Sequence, residues 1–441
     1  MPPVPSLPTA DPYLPGHGDP SWSADHYDLE LAYDLAANRL SGTATISAVA
    51  AKEVGRVVLD LAHLSVQKVS VDGKAPAKYA HRDHRLVLTL RTALPAGQRF
   101  EIKVKYAGHP RPLVLRHHGD AGWEELEDGV IVAGQPHGAP TWFPCNDRCD
   151  DKASYRISVT TAANYTVVSN GVLAQRVRRG SGETWVYEQH EPMSPYLATV
   201  QIGRYTLLES GPSESCPVPM RAAIPADARS GYDKAFGRQG EMIAYFSEAF
   251  GAYPFPGYTV VVTDDDLEIP LESQSLSTFG RNFLTSDWSE VRLVAHELAH
   301  QWFGNAVTMA SLQHIWLHEG FACYAEWLWS EAGGYDTAAE HAAHHHARLA
   351  KLDQDLVLAD PGPEEMFDDR VYKRGALTLH ALRTTVGDDA FFALLQEWVR
   401  RHAGGTVTTA DFEALAGEVT GADLTALFDA WLRKTKLPAL P

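Results

Sequence analysis

The sequence predicts an α+β protein in which an antiparallel, β-rich N-terminal domain is followed by a mostly helical domain. Up to about residue 205, the chain consists of short runs in which apolar and polar residues alternate, separated by turn residues. Beyond that point, apolar residues recur at spacings of three and four, the period of a helix with one buried face. We therefore expect a domain boundary between residues 205 and 206.

The first part of the chain predicts a lead-in and then a sandwich-like domain. Residues 1–22 are rich in Pro, Gly and Asp and predict an extended lead-in, and residues 23–205 form the predicted β-rich domain. Alternating runs at regular spacing are typical of an antiparallel β-sandwich. The clearest predicted strands cover residues 27–33, 42–47, 57–61, 86–90, 100–106, 154–159 and 185–187.

Residues 206–441 form the predicted helical domain. A helix is expected over about 231–250, and the run Tyr-Thr-Val-Val-Val-Thr at 258–263 predicts a buried strand. Ala, Leu and Trp then mark the buried faces of a series of helices. These helices are predicted over residues 287–304, 316–333, 336–355, 370–385, 388–403 and 410–435.

Composition and charge exclude several classes of partner. The net charge of −18 opposes binding to nucleic acid or to an anionic membrane, so we expect neither. The N-terminal segment has neither the basic region nor the apolar core of a signal peptide, and no apolar run is long enough to span a membrane. The four cysteines are too few and too scattered for a disulfide framework. A cytoplasmic protein is therefore expected.

The segment His296-Glu-Leu-Ala-His300 carries the strongest chemical signal. On a helix the two histidines lie one turn apart, so both imidazoles project from the same face. Glu319, which follows after eighteen intervening residues, adds a carboxylate. Two imidazoles and one carboxylate are three ligands for Zn²⁺, with a fourth position open for water. Glu297 is placed to take a proton from that water rather than to bind the metal.

Three further segments add polar groups. Glu272 follows the predicted strand at 258–263 and is expected to present an anion from an edge strand. Tyr372, at a predicted helix start, can donate its hydroxyl to a developing oxyanion. Gln135 belongs to a Gly- and Pro-rich segment of the β-rich domain. Each residue also has an ordinary interpretation, as a solvated carboxylate or amide or as a packed aromatic ring.

In their order along the chain these motifs resemble the M1 family of zinc aminopeptidases, gluzincins that include aminopeptidase N and leukotriene A4 hydrolase. A Phe-Pro-Cys-x-Asp element at 143–147 precedes Lys152-Ala153, the segment with Glu272, the His-Glu-x-x-His segment with its distal glutamate, and a Tyr-x-Arg-Gly-Ala element at 372–376. The resemblance covers residues 25–437. It implies a β-saddle N-terminal domain, a thermolysin-like catalytic domain and one Zn²⁺ per chain.

The resemblance also implies roles for individual residues. Zinc binding falls to the two histidines and the distal glutamate already identified by spacing, with Glu297 as the general base. Tyr372 would stabilise the tetrahedral oxyanion. Glu272 would bind the free α-amino group of a peptide substrate, and Gln135 would contact the substrate from the β-rich domain. Glu326, two turns beyond the distal glutamate, is placed to support a metal ligand.

The chain departs from the family pattern in three places. The family's Gly-Ala-Met-Glu-Asn is Ile-Pro-Leu-Glu-Ser at 269–273, so we expect the wall of the pocket for the substrate's first side chain to differ. His318 replaces an asparagine before Glu319, which fills the ligand position better. The sequence stops shortly after Leu437-Pro438, where the family's catalytic domain ends. A short two-domain form with a more open site is therefore expected.

Three other functions remain open at this point. A thermolysin-type endopeptidase shares the zinc ligands but does not need Glu272. An epoxide hydrolase is a known activity of one branch of the family. A non-catalytic peptide-binding scaffold is the third alternative, although scaffolds tend to lose ligands that are intact here.

Overall fold

The computed structural model describes residues 11–115, 117, 119–213 and 216–441. The first ten residues of the predicted lead-in at 1–22 lie outside the described residues. Contacts divide the chain into two units. The first comprises Met1–Leu207 with Ser273–Leu276, and the second comprises Leu208–Glu272 with Ser277–Pro441. The first unit is rich in strands and the second in helices, which confirms the predicted α+β class.

The described residues of the first unit form three β-sheets. A seven-stranded sheet has the order β13-β14-β11-β1-β2-β7-β4, a five-stranded sheet the order β12-β15-β10-β9-β8, and a three-stranded sheet the order β3-β6-β5. The strands are β1 (Trp22–Asp34), β2 (Arg39–Ala50), β3 (Val54–Asp60), β4 (Leu64–Val71), β5 (Lys78–Arg82), β6 (Arg85–Leu94), β7 (Arg99–Gly108), β8 (Leu113–Leu115), β9 (Gly119–Leu126), β10 (Gly129–Ala133), β11 (Ala153–Ala162), β12 (Thr166–Ser169), β13 (Val172–Arg179), β14 (Gly182–Met193) and β15 (Val200–Gly203).

The seven-stranded sheet contains one parallel pair, which the expectation of an antiparallel domain missed. Strands β1 and β11 run in parallel, whereas the other five neighbouring pairs are antiparallel. A parallel pair needs a long crossover connection, which the intervening strands supply here. Alternation of apolar and polar residues is the same in either direction, so the pattern could not distinguish the two.

Alternating residues of the strands are buried and form the core of the first unit. On β1, Tyr27, Leu29 and Leu31 are buried while the residues between them are more exposed. Tyr27 stacks on Tyr155 of β11, with ring centroids 4.9 Å apart, and the edge of Phe143 packs against it at 5.5 Å. The Phe-Pro-Cys element is therefore part of this core rather than an exposed loop.

The second unit combines a small sheet with helices. A five-stranded sheet has the order β16-β17-β18-β20-β19, and β21 pairs with β22. No helix in the described part of the chain is long and apolar enough to cross a membrane. The strands are β16 (Tyr205–Ser210), β17 (Met220–Pro225), β18 (Tyr258–Val262), β19 (Leu271–Ser273), β20 (Leu276–Phe279), β21 (Thr308–Met309) and β22 (Thr406–Val407). The helices are α1 (Arg229–Phe236), α2 (Gln239–Phe250), α3 (Trp288–Ala299), α4 (Trp316–Gly333), α5 (Ala338–Leu349), α6 (Asp369–Val386), α7 (Asp388–His402), α8 (Thr409–Thr420) and α9 (Thr425–Phe428).

Two of the predicted helices are each divided in the structure. The predicted helix at 231–250 is α1 and α2, with a break at Gly237–Arg238. The predicted helix at 410–435 ends at Thr420, because Gly421 adopts a left-handed conformation with φ of 66° and terminates α8. Apolar residues continue at helical spacing across both breaks, which is why periodicity alone joined the segments.

Gly42 of β2 provides a test of packing in the first unit. A Cβ atom at this position would lie 2.4 Å from Cζ of the buried Tyr106, its neighbour on β7. We predict that Gly42→Ala lowers the free energy of unfolding by about 1–3 kcal/mol in chemical denaturation, because the ring must be displaced. The control Gly55→Ala, where a Cβ meets no atom within 4 Å, should change it by less than about 0.5 kcal/mol. Equal losses in the two variants would contradict this packing.

Candidate active site

The two histidines of the His-Glu-x-x-His segment lie at the C-terminal end of α3. His296 is in the last turn, and His300 is the first residue after the helix. The His300 N–H donates to the His296 carbonyl at 3.2 Å, so the backbone keeps its helical turn up to the second histidine. The two rings are buried, with centroids 4.8 Å apart. The end of α3 therefore presents two imidazoles to one point.

Glu319 reaches the same point from the first turn of α4. Every residue of α4 from Trp316 to Ser330 is buried, so this helix lies in the core of the second unit and packs against α3. Glu319 Oε2 lies 3.3 Å from His296 Nε2 and 3.4 Å from His300 Nε2. The three ligand atoms all lie within 4.8 Å of one another.

The outer nitrogens of both imidazoles are hydrogen-bonded. His296 Nδ1 lies 2.8 Å from Glu326 Oε1, and His300 Nδ1 lies 3.0 Å from the Phe303 carbonyl oxygen. Because the Nδ1 atom of each ring faces an oxygen, Nε2 is the nitrogen that faces Glu319 and would offer its lone pair to a metal. Tetrahedral ligands at zinc distances are separated by about 3.3 Å. The donor set and its spacing therefore fit Zn²⁺.

Glu326 is itself held by two cations. Its Oε2 lies 3.1 Å from Arg292 Nη1 and 3.8 Å from Lys373 Nζ. Burial raises the pKa of Glu326, but Lys373, together with His296 and Arg292, outweighs burial and holds the pKa well below its ordinary value. Glu326 is thus a permanently ionised acceptor for His296. Sequence analysis missed Arg292 and Lys373, although Arg292 lies one turn before His296 on the same helix.

Glu297 and Glu272 extend the site beyond the three ligands. Glu297 is 4% exposed, and its Oε2 has no hydrogen-bond partner among the described residues. Burial raises the pKa of Glu297 to about 8. Glu272 is half-buried on β19, which is the edge strand of its sheet, as expected. The carboxylates of Glu272 and Glu297 and the imidazole of His300 lie within 4.8 Å of one another.

The charges of these groups make the site attractive to a cation. Burial lowers the pKa of His300, but the carboxylates of Glu319 and Glu272 outweigh burial and raise it to about 10. Burial also raises the pKa of Glu272. Three carboxylates face two imidazoles, and all but Glu272 are buried, where charge interactions are strong. A positive ion at their centre would relieve the repulsion between the carboxylates.

Tyr372 lies in the first turn of α6 beside the candidate ligand His296. Its ring stacks against His296, with centroids 6.0 Å apart and an interplanar angle of 21°. Burial raises the pKa of Tyr372 well above its ordinary value, and the nearby carboxylates raise it further. The side chain is therefore a neutral phenol, which donates a hydrogen bond.

Two other residues singled out from the sequence lie in different surroundings. His318 Nε2 accepts a hydrogen bond at 2.8 Å from the Met309 N–H, so its lone pair faces the backbone and not the ligand cluster. Gln135 is in the first unit, in the turn between β10 and the 3₁₀ turn Ala139–Thr141, with a half-buried side chain. A substrate contact of Gln135 stays a prediction.

Comparisons with protein families and curated sequences agree with this geometry. The model of the peptidase family M1 domain matches residues 234–431, and that of the peptidase M1 N-terminal domain matches residues 23–197. Aminopeptidase M1-D of Oryza sativa subsp. japonica is 26% identical over 94% of this chain and 50% of its own length. Aminopeptidase M1 of Arabidopsis thaliana is 25% identical over 98% of this chain and 52% of its own length. The chain thus spans about half the length of the curated relatives it matches.

Similar solved structures match over nearly their whole length. An M1 zinc metallopeptidase from Deinococcus radiodurans, solved as a mutant, has a TM-score of 0.89 and 30% identity over 98% of this chain and 99% of its own. The same mutant bound to a Tyr-Ser-Ala substrate has a TM-score of 0.88 at the same identity and coverage.

A contact between Gly320 of α4 and Gly375 of α6 provides a test of how the site is assembled. A Cβ atom on Gly320 would lie 2.8 Å from the Gly375 Cα, so the two helices meet backbone to backbone. We predict that Gly320→Ala costs about 1–3 kcal/mol of stability in thermal unfolding, because the helices must separate. Since Glu319 and Tyr372 lie beside this contact, metal affinity should fall as well.

The matched control is Gly417→Ala in α8, where a Cβ would lie 3.9 Å from its nearest neighbour. This variant should retain or gain stability, because alanine favours a helix. A Gly320→Ala protein as stable as the control would show that α4 and α6 do not need this close approach.

Proposed function

The chain belongs to peptidase family M1, and from that premise we propose that it is a zinc-dependent aminopeptidase, which removes the N-terminal residue from peptides. The observation that carries this proposal is the convergence of His296, His300 and Glu319, with Glu272 alongside them. We also propose that residues 206–441 form the catalytic domain and residues 23–205 a β-rich domain that accompanies it.

In this proposal His296, His300 and Glu319 hold one Zn²⁺ per chain. The separations of their ligand atoms and the hydrogen bonds at both Nδ1 atoms support this assignment. When bound, Zn²⁺ supplies Lewis acidity, which polarises a peptide carbonyl and makes a water molecule easier to deprotonate.

Glu297 acts as the general base. Its buried Oε2 has no partner among the described side chains and backbone groups, so it is available to accept a proton from the attacking water. The same carboxyl group then donates that proton to the leaving amine. Because Glu297 follows His296 directly, the helix holds the base beside the metal ligands rather than among them.

Tyr372 and Glu272 act on the substrate. The neutral phenol of Tyr372 donates a hydrogen bond to the oxygen that becomes negative in the tetrahedral intermediate. The carboxylate of Glu272 pairs with the substrate's N-terminal ammonium, which places the first peptide bond at the reacting centre. From the family resemblance, Gln135 is also proposed to contact the substrate.

Glu272 favours an aminopeptidase over the alternatives. A thermolysin-type endopeptidase has no use for an anion beside the ligand cluster, because its substrates have no charged amine there. The retention of all three ligands, Glu297 and Tyr372 argues against a scaffold. An epoxide hydrolase remains the less favoured second activity. A cytoplasmic location is also part of the proposal, and it is supported by four cysteines that are all free thiols.

The first experiment is a metal analysis combined with a panel of aminoacyl-arylamides, which also determines the preferred N-terminal residue. We expect Zn²⁺ bound by His296, His300 and Glu319 in the active protein, loss of hydrolysis on chelation, and its return when Zn²⁺ is added. Side-chain preference should differ from that of relatives with Gly-Ala-Met-Glu-Asn, since Ile269 beside the edge strand is 62% exposed. Undiminished hydrolysis after complete removal of metal would contradict the proposal.

We predict that Glu297→Gln lowers turnover by on the order of 10²–10⁴-fold, because the amide cannot accept the proton. Zinc content should stay the same, since Glu297 is not a ligand. Glu290→Gln, the same substitution in the first turn of α3, is the control and should leave both turnover and zinc unchanged. Steady-state kinetics and metal analysis measure these two quantities. A fully active Glu297→Gln protein would contradict the assignment of Glu297 as the general base.

We further predict that Glu272→Ala lowers kcat/KM for free-amine substrates by roughly ten- to a hundredfold, the loss of one charge-assisted hydrogen bond. Hydrolysis of an N-acylated substrate, however slow, should change little, because that substrate has no ammonium group. The exposed Glu268 of the same segment provides the control Glu268→Ala. Equal losses on both substrate types would point to an endopeptidase.

A further inference from the structure

A second group of metal-ligand side chains lies in the first unit. The ligand atoms of His17, His137 and Asp147 lie within 4.8 Å of one another. His137 and Asp147 are buried, and the His17 side chain is 23% exposed. His17 precedes β1, His137 follows β10, and Asp147 follows the buried Cys145. Three segments that are distant in sequence therefore bring two imidazoles and a carboxylate to one place.

The spacing of this group resembles that of the ligand set in the second unit. His17 Nδ1 lies 3.2 Å from Asp147 Oδ2, and the rings of His17 and His137 have centroids 4.3 Å apart with a tilt of 49°. The corresponding nitrogen–oxygen separations at Glu319 are 3.3 and 3.4 Å. All are close to the separation of about 3.3 Å between ligands around a tetrahedral ion.

The charges around this group leave one carboxylate to be balanced. Asp60 is paired with Arg85 at 2.7 Å, and its other oxygen accepts from the N–H groups of Gly18 and Asp147 at 3.0 and 3.1 Å. The region thus holds two buried acids against one guanidinium.

The carboxylate of Asp147 faces the imidazole of His17, and the ring of His137 lies against that of His17. A divalent ion accounts for all three side chains, because two neutral imidazoles and a carboxylate are a common Zn²⁺ ligand set.

We propose that His17, His137 and Asp147 form a second site, which binds a divalent transition-metal ion of the Zn²⁺ class and has a structural role. The ion would tie the segment before β1 to the turn after β10 and to the segment after Cys145. The site shares no residue with the proposed catalytic centre, and it goes beyond the proposed function.

The test uses the full-length chain, stripped with a chelator and titrated with Co²⁺, whose absorption reports tetrahedral coordination. We expect His17→Gln and Asp147→Asn each to bind one equivalent fewer than the wild type. His300→Ala should also lose one equivalent, and His17→Gln combined with His300→Ala should lose two. The control His190→Ala removes a histidine 3.4 Å from Glu188 that belongs to no group of three ligands in the described part of the chain, and it should bind as the wild type does.

Thermal unfolding separates a metal site from an ion pair. In the His300→Ala background, Zn²⁺ added to the stripped protein should raise the Tm, and His17→Gln should abolish this increase. A Tm that falls in His17→Gln but keeps the same Zn²⁺-dependent increase would show an ion pair only and overturn the proposal. Unchanged Co²⁺ stoichiometry in both His17→Gln and Asp147→Asn would also overturn it. Neither outcome depends on peptidase activity, so the proposed function is tested separately.

Discussion

The second unit depends on the burial of like charges around one point. Glu272, Glu297 and Glu319 bring three carboxylates close to His296 and His300 in a region with little access to water. Burying a carboxylate costs several kcal/mol unless a cation or hydrogen bonds compensate for it. Positive charge on the imidazoles, or a cation between the carboxylates, compensates for this cost. Burial itself raises the pKa of Glu297.

Surrounding residues fix the orientation of His296 and His300. The pair of Arg292 and Lys373 holds Glu326, and Glu326 in turn orients His296. The Nδ1 atom of His300 instead faces the uncharged backbone carbonyl of Phe303, which orients that ring. His296 is thus held by a network of ion pairs, and His300 is held by the turn that ends α3. Such outer contacts decide which nitrogen of each ring faces the metal.

The close approach of α4 and α6 brings Glu319, a proposed zinc ligand, near Tyr372, the proposed oxyanion donor. Glu319 belongs to α4 and Tyr372 to α6, and Gly320 and Gly375 let the two backbones touch. A side chain at either glycine would move Glu319 away from Tyr372. The two motifs are far apart in the sequence. The contact between Gly320 and Gly375, which neither motif predicts by itself, brings them together.

The sequence by itself determined the class of fold, and it predicted the ligand set and the base that the proposed function uses. Helical spacing places His296 and His300 one turn apart whatever surrounds them, and strand alternation identifies the β-rich unit in the same local way. Only the tertiary structure decided the parallel pairing of β1 with β11 and the support of Glu326 by Arg292 and Lys373. It alone brought His17 to His137 and Asp147. The physical reason is that periodicity shows only which residues of one helix or strand share a face. These contacts instead join residues of different elements, and their proximity depends on how those elements pack.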